Sequence, residues 1–238
     1  MRVLITGGSG GIGRALVDRL ASEGHEITFT YCRNQAPAAE VANRTGAEPV
    51  HYDDSSIDSL AALTACVRGG AFDGLVNNAA QVWRRQLLLK TDIETFLAYQ
   101  VAALRGVFAL STAFAEEVKR RQTPGAIVNV LSSVTLGIPP AKLTPYVTSK
   151  YALLGLTRSM AVEFVRYGVR VNAVSPGMTR TDFNAELPER FIEQLEAGLP
   201  MERLATPAEI AAVIRFLLSS DASYLTGANL PVAGGQSC

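Results

Sequence analysis

The 238-residue sequence has few of the residues that build disulfide frameworks and metal centres. Its three cysteines, Cys32, Cys66 and Cys238, are an odd number without the spacing of metal ligands, so they predict free thiols in a reducing compartment. Its two histidines, His25 and His51, exclude a histidine-rich metal cluster, and a Ser-His-Asp hydrolase would require one of them. We therefore expect no resident metal.

Net charge and long apolar runs are lacking as well. The 22 basic residues balance 22 acidic ones, which argues against bulk binding of nucleic acid or another polyanion. The opening run MRVLITGG breaks at glycine and is too short for a signal peptide, and no apolar stretch is expected to span a membrane. We expect a cytoplasmic protein that binds neither membranes nor nucleic acid. Hydrophobic residues make up 48% of the chain, which is enough for a sizeable core.

The chain does contain an alternation of short apolar runs with helix-length amphipathic segments. Several of the apolar runs are β-branched and apolar on both faces, as in strands covered by helices on both sides. The predicted strands are 2–6, 26–31, 47–52, 73–77, 126–132, 169–175 and 229–233. Helix patterns occupy 12–24, 91–121, 146–168 and 206–221, the last of which begins with a capping box. This alternation predicts one parallel, doubly wound sheet.

A glycine-rich segment, TGGSGGIG at 6–13, lies where the first strand becomes the first helix. It fits two nucleotide-binding templates, G-x-G-x-x-G through Gly8, Gly10 and Gly13, and T-G-x-x-x-G-x-G through Gly7, Gly11 and Gly13. Glycine lets the backbone approach a pyrophosphate, and the helix N-terminus supplies N–H groups and a partial positive charge. The position favours a nucleotide site, and a flexible turn is the alternative.

The end of the second predicted strand bears on which nucleotide is bound. Folds that prefer NAD usually carry a carboxylate there for the ribose 2′-hydroxyl. This chain has Thr-Tyr-Cys-Arg-Asn at 30–34, without a carboxylate. The planar guanidinium of Arg33 can pair with a 2′-phosphate, so we predict NADP(H) in preference to NAD(H). A solvated loop charge is the alternative for Arg33.

Ser133, Tyr146 and Lys150 have a spacing that suits proton transfer. Ser133 stands thirteen residues before Tyr146, and Lys150 follows the tyrosine by four residues, or one helical turn. Free tyrosine has a pKa of about 10, and a neighbouring ammonium would lower the pKa toward the range of an efficient base. We assign the adjacent Ser132 a structural role. An ordinary loop followed by a helix start is the alternative.

Together with NNAA at 77–80 and SPGMTRTD at 175–182, these motifs resemble the short-chain dehydrogenase/reductase family, most of all its 3-oxoacyl-[acyl-carrier-protein] reductases. The resemblance covers the whole length. It implies an α/β, single-domain Rossmann fold over residues 1–238, with a doubly wound parallel seven-stranded sheet and helices on both faces. It also implies NADP(H)-dependent reduction of a ketone, with Tyr146 as proton donor, Ser133 bonded to the substrate oxygen and Lys150 holding the nicotinamide ribose.

The resemblance extends to the residues that meet the cofactor and the substrate. Asp53 resembles the acid that contacts the adenine amine and Asn77 the asparagine that steadies the central strands, with turn capping as the alternative for both. The predicted cofactor-binding residues are Gly7, Ser9, Gly11, Ile12, Gly13, Arg33, Asp53, Asn77, Ala79, Tyr146, Lys150, Pro176, Gly177, Thr179 and Thr181. The predicted substrate-lining residues are Val82, Trp83, Thr135, Leu136, Phe183 and Leu187.

Two departures from the family pattern bear on cofactor choice and activity. Gly10 stands where many NADP-linked members carry a basic residue, which leaves the 2′-phosphate to Arg33. Ala103 stands where the family has an asparagine that anchors a proton-relaying water, and backbone carbonyls or Gln100 are the candidate substitutes. A secondary-alcohol dehydrogenase and a catalytically weak cofactor-binding subunit are therefore kept as alternative functions.

The expected partners are a small carbonyl substrate and further copies of the chain. The family commonly forms tetramers through its two long central helices, so a homotetramer or homodimer is expected. The basic cluster VKRRQ at 118–122, with Arg84 and Arg85 elsewhere, is a candidate dock for an acidic carrier protein that bears the substrate. A solvated helix C-terminus is the alternative for that cluster, since cations are favoured there.

Overall fold

Each of the seven predicted apolar runs forms a strand, with ends one or two residues from those expected at most. A computed structural model describes residues 1–33, 35–81, 83, 85–181 and 189–236. Its strands are β1 (Arg2–Ile5), β2 (Glu26–Tyr31), β3 (Glu48–His51), β4 (Gly74–Asn77), β5 (Gly125–Val130), β6 (Val169–Pro176) and β7 (Asn229–Val232).

Seven α-helices occur in the described residues. They are α1 (Gly11–Ser22), α2 (Gln35–Thr45), α3 (Ile57–Gly69), α4 (Ile93–Arg121), α5 (Thr144–Phe164), α6 (Glu189–Ala197) and α7 (Pro207–Leu218). The predicted capping box is present at α7, where Thr206 and Glu209 exchange side-chain and backbone hydrogen bonds. The sequence pattern did not specifically place α2, α3 and α6.

All seven strands are parallel and lie in the order β3-β2-β1-β4-β5-β6-β7. The chain runs outward from β1 to β3, crosses back to pair β4 with β1, and then runs outward in the other direction. In sheets of this kind, ligands bind at the carboxyl ends of the strands where the order reverses, which is here between β1 and β4. This is the predicted doubly wound Rossmann architecture.

The core has a layer on each face of the sheet. Successive side chains of a strand point to opposite faces, so Val3 and Ile5 pack with Leu16 of α1, whereas Leu4 packs with Phe114 of α4. Helices α1 and α7 cover one face, and α3, α4 and α5 cover the other. Because both faces are buried at the centre of the sheet, β1, β4 and β5 are largely apolar rather than alternating, whereas the edge strand β3 is mostly exposed.

The long helix α4 bears on the expectation that no apolar stretch of the chain would span a membrane. It has 29 residues, and a window within it has a mean hydropathy of 1.3. By length and composition, the helix could therefore cross a membrane. In the fold, 11% of that window is buried. In this fold, however, α4 packs beside α3 and α5 against the sheet. A large part of its apolar surface is therefore left open on the outside of the molecule.

Candidate active site

The turn between β1 and α1 requires glycine for conformational and steric reasons. Gly7 and Gly11 have φ angles of +68° and +50°, in the left-handed region that favours glycine. A Cβ atom on Gly13 would stand 2.1 Å from the carbonyl oxygen of Gly7, so no larger residue fits without moving the turn. The result is a bare stretch of backbone at the carboxyl end of β1.

The N-terminus of α1 is open toward this turn. Its N-cap is Gly10, which offers no side-chain hydrogen bond, and its first turn carries no acidic residue. By contrast, Ser56, Asp92 and Thr206 cap α3, α4 and α7 through their side chains. The first N–H groups of α1 are thus available to an anion, which the helix dipole also favours.

Asn78, which the sequence reasoning did not single out, holds this turn in place. Its side-chain nitrogen donates to the carbonyl oxygens of Thr6, at 2.9 Å, and Gly7, at 3.1 Å. The Thr6 hydroxyl accepts in return from the backbone N–H groups of Asn78 and Ala79, at 2.9 and 3.0 Å. The only sequence signal was its place beside Asn77 in the quoted NNAA motif.

Asn77 is buried in a polar chain that joins strands to helices. Its side chain donates to Asn129 of β5 at 2.8 Å and to Ser111 of α4 at 3.1 Å, and Asn129 donates to Thr157 of α5 at 2.9 Å. These bonds satisfy polar groups that would otherwise be costly to bury. The position agrees with the predicted role of steadying the central strands.

The region after β2 and β3 brings Arg33 and Asp53 near each other. Hydrogen bonds from the side chain and backbone of Ser55 hold the pKa of Asp53 below its ordinary value, and the Arg33 charge acts in the same direction. Arg33 itself is exposed. Asp53 thus caps a turn, as the alternative reading had it, and contact with an adenine stays a prediction.

Tyr146, in the first turn of α5, meets the serine pair through Ser132. Burial raises the pKa of the Tyr146 phenol, and a hydrogen bond with the Ser132 side chain acts to lower that pKa. Ser133 begins a short 3₁₀ turn (Ser133–Thr135), and the Ser132 hydroxyl caps that turn by accepting from the Val134 N–H group at 3.4 Å. This cap is the structural role expected of Ser132, and the assignment of Ser133 as the catalytic serine stays a prediction.

Lys150 lies one turn beyond Tyr146, and its amine is 5.7 Å from the centre of the tyrosine ring. The ammonium is buried and donates to the carbonyl oxygen of Val130 at 2.9 Å, at the end of β5. Burial lowers the pKa of Lys150 to about 8. The predicted lowering of the Tyr146 pKa is not found in the protein alone, because burial of the phenol outweighs the lowering by the Ser132 side chain.

The segment after β6 returns to the glycine turn. A Cβ atom on Gly11 would lie 3.2 Å from the methyl group of Thr181, so the two segments are in contact. Thr179 is buried and pairs with Ala205 through an isolated β-bridge, while its hydroxyl donates to Gly177 at 3.0 Å. Pro176 ends β6 itself. The structure therefore gathers the segments predicted to bind a cofactor at one edge of the sheet.

Comparison with known proteins identifies the family to which this fold belongs. A protein-family model described as Enoyl-(Acyl carrier protein) reductase matches residues 7–237. A solved structure described as a short chain dehydrogenase/reductase family protein superposes with a TM-score of 0.86 at 36% identity, over 99% of this chain and 96% of that chain. The chain belongs to the short-chain dehydrogenase/reductase family. Members of this family are oxidoreductases that bind a nicotinamide cofactor.

Two characterised relatives of this short-chain dehydrogenase/reductase are both named as reductases. The 3-oxoacyl-[acyl-carrier-protein] reductase MabA of Mycobacterium tuberculosis is 35% identical over 98% of this chain and 92% of its own length. The levodione reductase of Leifsonia aquatica is 33% identical over 99% of this chain and 93% of its own length.

The described residues fit a dinucleotide at the carboxyl edge of the sheet. The glycine turn leaves room for a pyrophosphate, and the uncapped N-terminus of α1 complements its charge. Arg33 and Asp53 stand at the end of β2 and β3, where an adenosine would lie, and Lys150 and Thr181 stand toward the other end. No cluster of three or more metal-ligating side chains occurs in the described part of the chain.

On the substrate side, the structure supports only part of the predicted lining. Val82, Phe183 and Leu187 lie outside the described residues. The hydroxyl of Thr135 is directed into the fold, where it donates to the carbonyl oxygen of Ser132 at 2.9 Å and meets Ser175 at 3.3 Å. Thr135 is thus a buried anchor of the serine loop rather than a lining residue, and Leu136, which follows it, is half-buried.

Trp83 packs edge-on against Tyr99 of α4, with ring centres 5.1 Å apart. Its indole nitrogen is buried without a hydrogen-bond partner among the described residues. The ring thus packs against α4, and the predicted contact of Trp83 with a substrate stays a prediction.

The basic cluster at the end of α4 lies at the amino ends of the strands, whereas the site lies at the carboxyl ends. Arg120 and Arg121 pair with Glu117, and Arg121 also donates to the carbonyl oxygens of Ala71 and Phe72, which precede β4. These bonds stabilise the helix end, and docking of an acidic carrier protein at the cluster stays a prediction.

Proposed function

We propose that the chain is an NADP(H)-dependent reductase that converts a ketone to a secondary alcohol. The observation that carries this proposal is the convergence of the serine pair Ser132–Ser133, Tyr146 and Lys150 beside a glycine turn that fits a dinucleotide. When bound, the nicotinamide would supply the hydride. The protein then needs to orient the carbonyl, stabilise the developing charge on its oxygen and deliver one proton.

Tyr146 is suited to the donor role because burial raises the pKa of its phenol and keeps it protonated at neutral pH. In the proposed reaction the phenol gives its proton to the carbonyl oxygen as that oxygen becomes an alkoxide. Lys150 stabilises the phenolate left behind, and the Ser133 hydroxyl stabilises the negative oxygen by a hydrogen bond. A raised phenol pKa favours reduction over alcohol oxidation, which would require the phenolate as a base.

Replacing each serine separately tests the proposed function together with the choice of serine. We expect the wild-type protein to oxidise NADPH when a short 3-oxoacyl thioester is added. Ser133→Ala should lower kcat/KM by about 30-fold, the cost of losing a hydrogen bond to a charged group. Ser132→Ala, the matched control, removes the cap of the 3₁₀ turn and should change kcat/KM by less than about 3-fold. The measurement is loss of NADPH absorbance with time.

The opposite ranking of the two serine variants would give the catalytic role to Ser132, whose side chain also acts on the Tyr146 phenol. No NADPH oxidation by the wild-type protein with thioesters, simple ketones or diketones would instead favour a cofactor-binding subunit without turnover. Ala103 keeps that second function open, because its methyl group cannot anchor a water.

Arg33 is proposed to set the preference for NADP(H). The residue is exposed beside the turn that Asp53 caps, and no acidic side chain occupies the end of β2. Arg33→Ala should raise the KM for NADPH about 10-fold and the KM for NADH by less than about 2-fold, since only the 2′-phosphate loses its charged partner. Equal changes for both cofactors, measured by initial rates, would remove this argument for NADP(H).

The proposed substrate class is a 3-oxoacyl thioester or a small carbonyl compound. The support is the similarity to a 3-oxoacyl-[acyl-carrier-protein] reductase and a levodione reductase, whose names indicate ketone substrates. If an acidic carrier protein delivers the thioester, the exposed basic residues near the site are better placed to receive it than the end of α4. Arg85 lies in the loop after β4, and Lys142 in the loop before α5, and these loops are joined by the hydrogen bond from Gln86 to Lys142.

We further propose that the protein forms a homodimer or homotetramer through α4 and α5. The exposed apolar side chains on these helices support this proposal: Leu97, Val101, Phe108, Tyr151 and Val162. A contiguous apolar surface of this kind is unusual on a monomer. The same surface accounts for the membrane-like composition of α4 without a membrane, in agreement with the proposed cytoplasmic location.

A further inference from the structure

The part of α4 nearest Tyr146 contains two adjacent residues that form hydrogen bonds to other segments of the chain. Tyr99 lines the same cavity as Tyr146 and Lys150. Gln100 follows it and donates from its side-chain nitrogen to the carbonyl oxygen of Pro145 at 2.9 Å. Because Pro145 directly precedes Tyr146 in the first turn of α5, this bond joins α4 to the turn that carries the phenol.

The first turn of α5 is not held by a side-chain cap. Its N-cap residue is Leu143, whose apolar side chain cannot accept a hydrogen bond from the helix, and residues 137–142 before it are exposed. The amine of Lys150, one turn further on, is tied to β5 through its hydrogen bond to Val130. The bond from Gln100 gives the phenol end of this helix a comparable attachment outside α5.

Tyr99 attaches the loop after β4 to the same helix. Tyr99 is 8% exposed, and its hydroxyl donates to the carbonyl oxygen of Gln81 at 3.1 Å. Its ring packs edge-on against Trp83 in that loop. The Gln81 side chain donates in turn to Asp54 at 3.1 Å, so the loop is held both from α4 and from the segment after β3.

The hydroxyl of Tyr99 is suited to holding a loop and not to transferring a proton. Burial raises the pKa of the Tyr99 phenol, and the charge of an ionised Tyr146 raises it further. Tyr99 therefore stays a neutral donor even when Tyr146 becomes a phenolate in the proposed reaction. Its one proton is already donated to Gln81.

We propose that Tyr99 and Gln100 form a clamp that fixes the two segments beside the reaction centre. In this clamp, Gln100 is a positioning residue for Tyr146, and Tyr99 is a positioning residue for the loop after β4. The clamp deepens the proposed function and rests on it for its kinetic consequences, but its structural consequences can be tested without any reaction.

Crystallography provides the structural test. Gln100→Met keeps a side chain of similar length and removes the donor group. The wild-type crystal should show the bond from Gln100 to Pro145. In the variant, the first turn of α5 should shift and displace the Tyr146 hydroxyl by about 0.5 Å or more, the tolerance within which catalytic groups are held.

Thr64→Val is the matched control for the loss of a bond from a side chain to a helix carbonyl. The Thr64 hydroxyl donates to the carbonyl oxygen of Leu60 at 2.7 Å, near the start of α3, and its loss should leave Tyr146 in place. If the wild-type crystal lacked the bond to Pro145, or if Tyr146 kept its place in Gln100→Met, the proposal would be overturned whether or not the chain is a ketone reductase.

The two members of the clamp should differ in their kinetic effects. Gln100→Met should lower kcat about 10-fold and change the KM for the ketone by less than about 2-fold, because a misplaced proton donor slows the reaction without weakening binding. Tyr99→Phe should instead raise the KM for the ketone about 5-fold, the factor for one neutral hydrogen bond, because it loosens a predicted substrate wall. An unchanged KM in Tyr99→Phe would contradict the role of Tyr99.

A double-mutant cycle separates positioning by Gln100 from packing. In a Tyr146→Phe background no phenolic proton is left to position, so Gln100→Met should cost less than about 2-fold in kcat. Equal losses in both backgrounds would show that Gln100 acts through packing alone. If the wild-type protein reduced no ketone, the proposed function would fail, and the crystals would still decide whether the clamp holds Tyr146.

Discussion

Replacing Tyr146 by phenylalanine is expected to lower kcat/KM for NADPH-dependent ketone reduction by about 100-fold to 10,000-fold, the usual contribution of a positioned general acid. The substitution removes one oxygen and keeps the ring that lies 5.7 Å from the Lys150 amine. The effect should therefore fall on the proton-transfer step and not on the fold.

Binding of NADPH separates loss of chemistry from loss of structure in this variant. The dissociation constant for NADPH, measured by fluorescence titration, should change by less than about 3-fold in Tyr146→Phe, because the glycine turn is untouched. Tyr167→Phe, in the 3₁₀ turn (Val165–Tyr167) that follows α5, is a control for the loss of a phenol elsewhere. If Tyr146→Phe retained more than about a tenth of the wild-type rate, the proton would have to come from another group.

The second large effect is expected for Gly13→Ala. Its new Cβ atom would overlap the Gly7 carbonyl oxygen at 2.1 Å and the Asn78 side-chain nitrogen at 2.8 Å, so the turn must shift. Overpacking of this kind typically costs about 1–3 kcal/mol. Because the displaced atoms belong to the cofactor cradle, we expect the upper end of that range, about 100-fold weaker binding of NADPH.

Gly13→Ala should weaken the binding of NADH by the same factor. This result would separate the effect of the glycine turn from that of Arg33, whose loss should affect NADPH far more than NADH. Gly69→Ala is the matched control, because Gly69 ends α3 and a Cβ atom there would meet nothing within 4 Å. That control should bind both cofactors as the wild-type protein does and be slightly more stable, as alanine is favoured over glycine in helices. Wild-type affinity in Gly13→Ala would mean that the cofactor does not use this turn.

The fold was predictable because most of its strands and helices are indicated by patterns of neighbouring residues. A strand buried on both faces needs a continuous apolar run, and the central strands β1, β4 and β5 are largely apolar and buried. Tyr146 and Lys150 were predictable as neighbours because four residues make one turn of helix. The helices α2 and α6 are rich in polar residues and few of their described side chains are buried, so the apolar signal that would locate them is sparse.

The place of Asn78 at the glycine turn depended on information that the sequence does not carry. Its side chain holds the carbonyl oxygen of Gly7, which lies 71 positions away along the chain. The structural role of Ser132 was predictable by contrast, because the 3₁₀ turn that it caps follows it directly.

By itself, the sequence determined the parallel sheet, the glycine turn and the pairing of a phenol with an amine, because each follows from the conformational preferences of adjacent residues. Only the tertiary structure decided which asparagine holds the turn and what surrounds the buried lysine. Those contacts are made between side chains from different elements, and the packing of helices on the sheet brings them together.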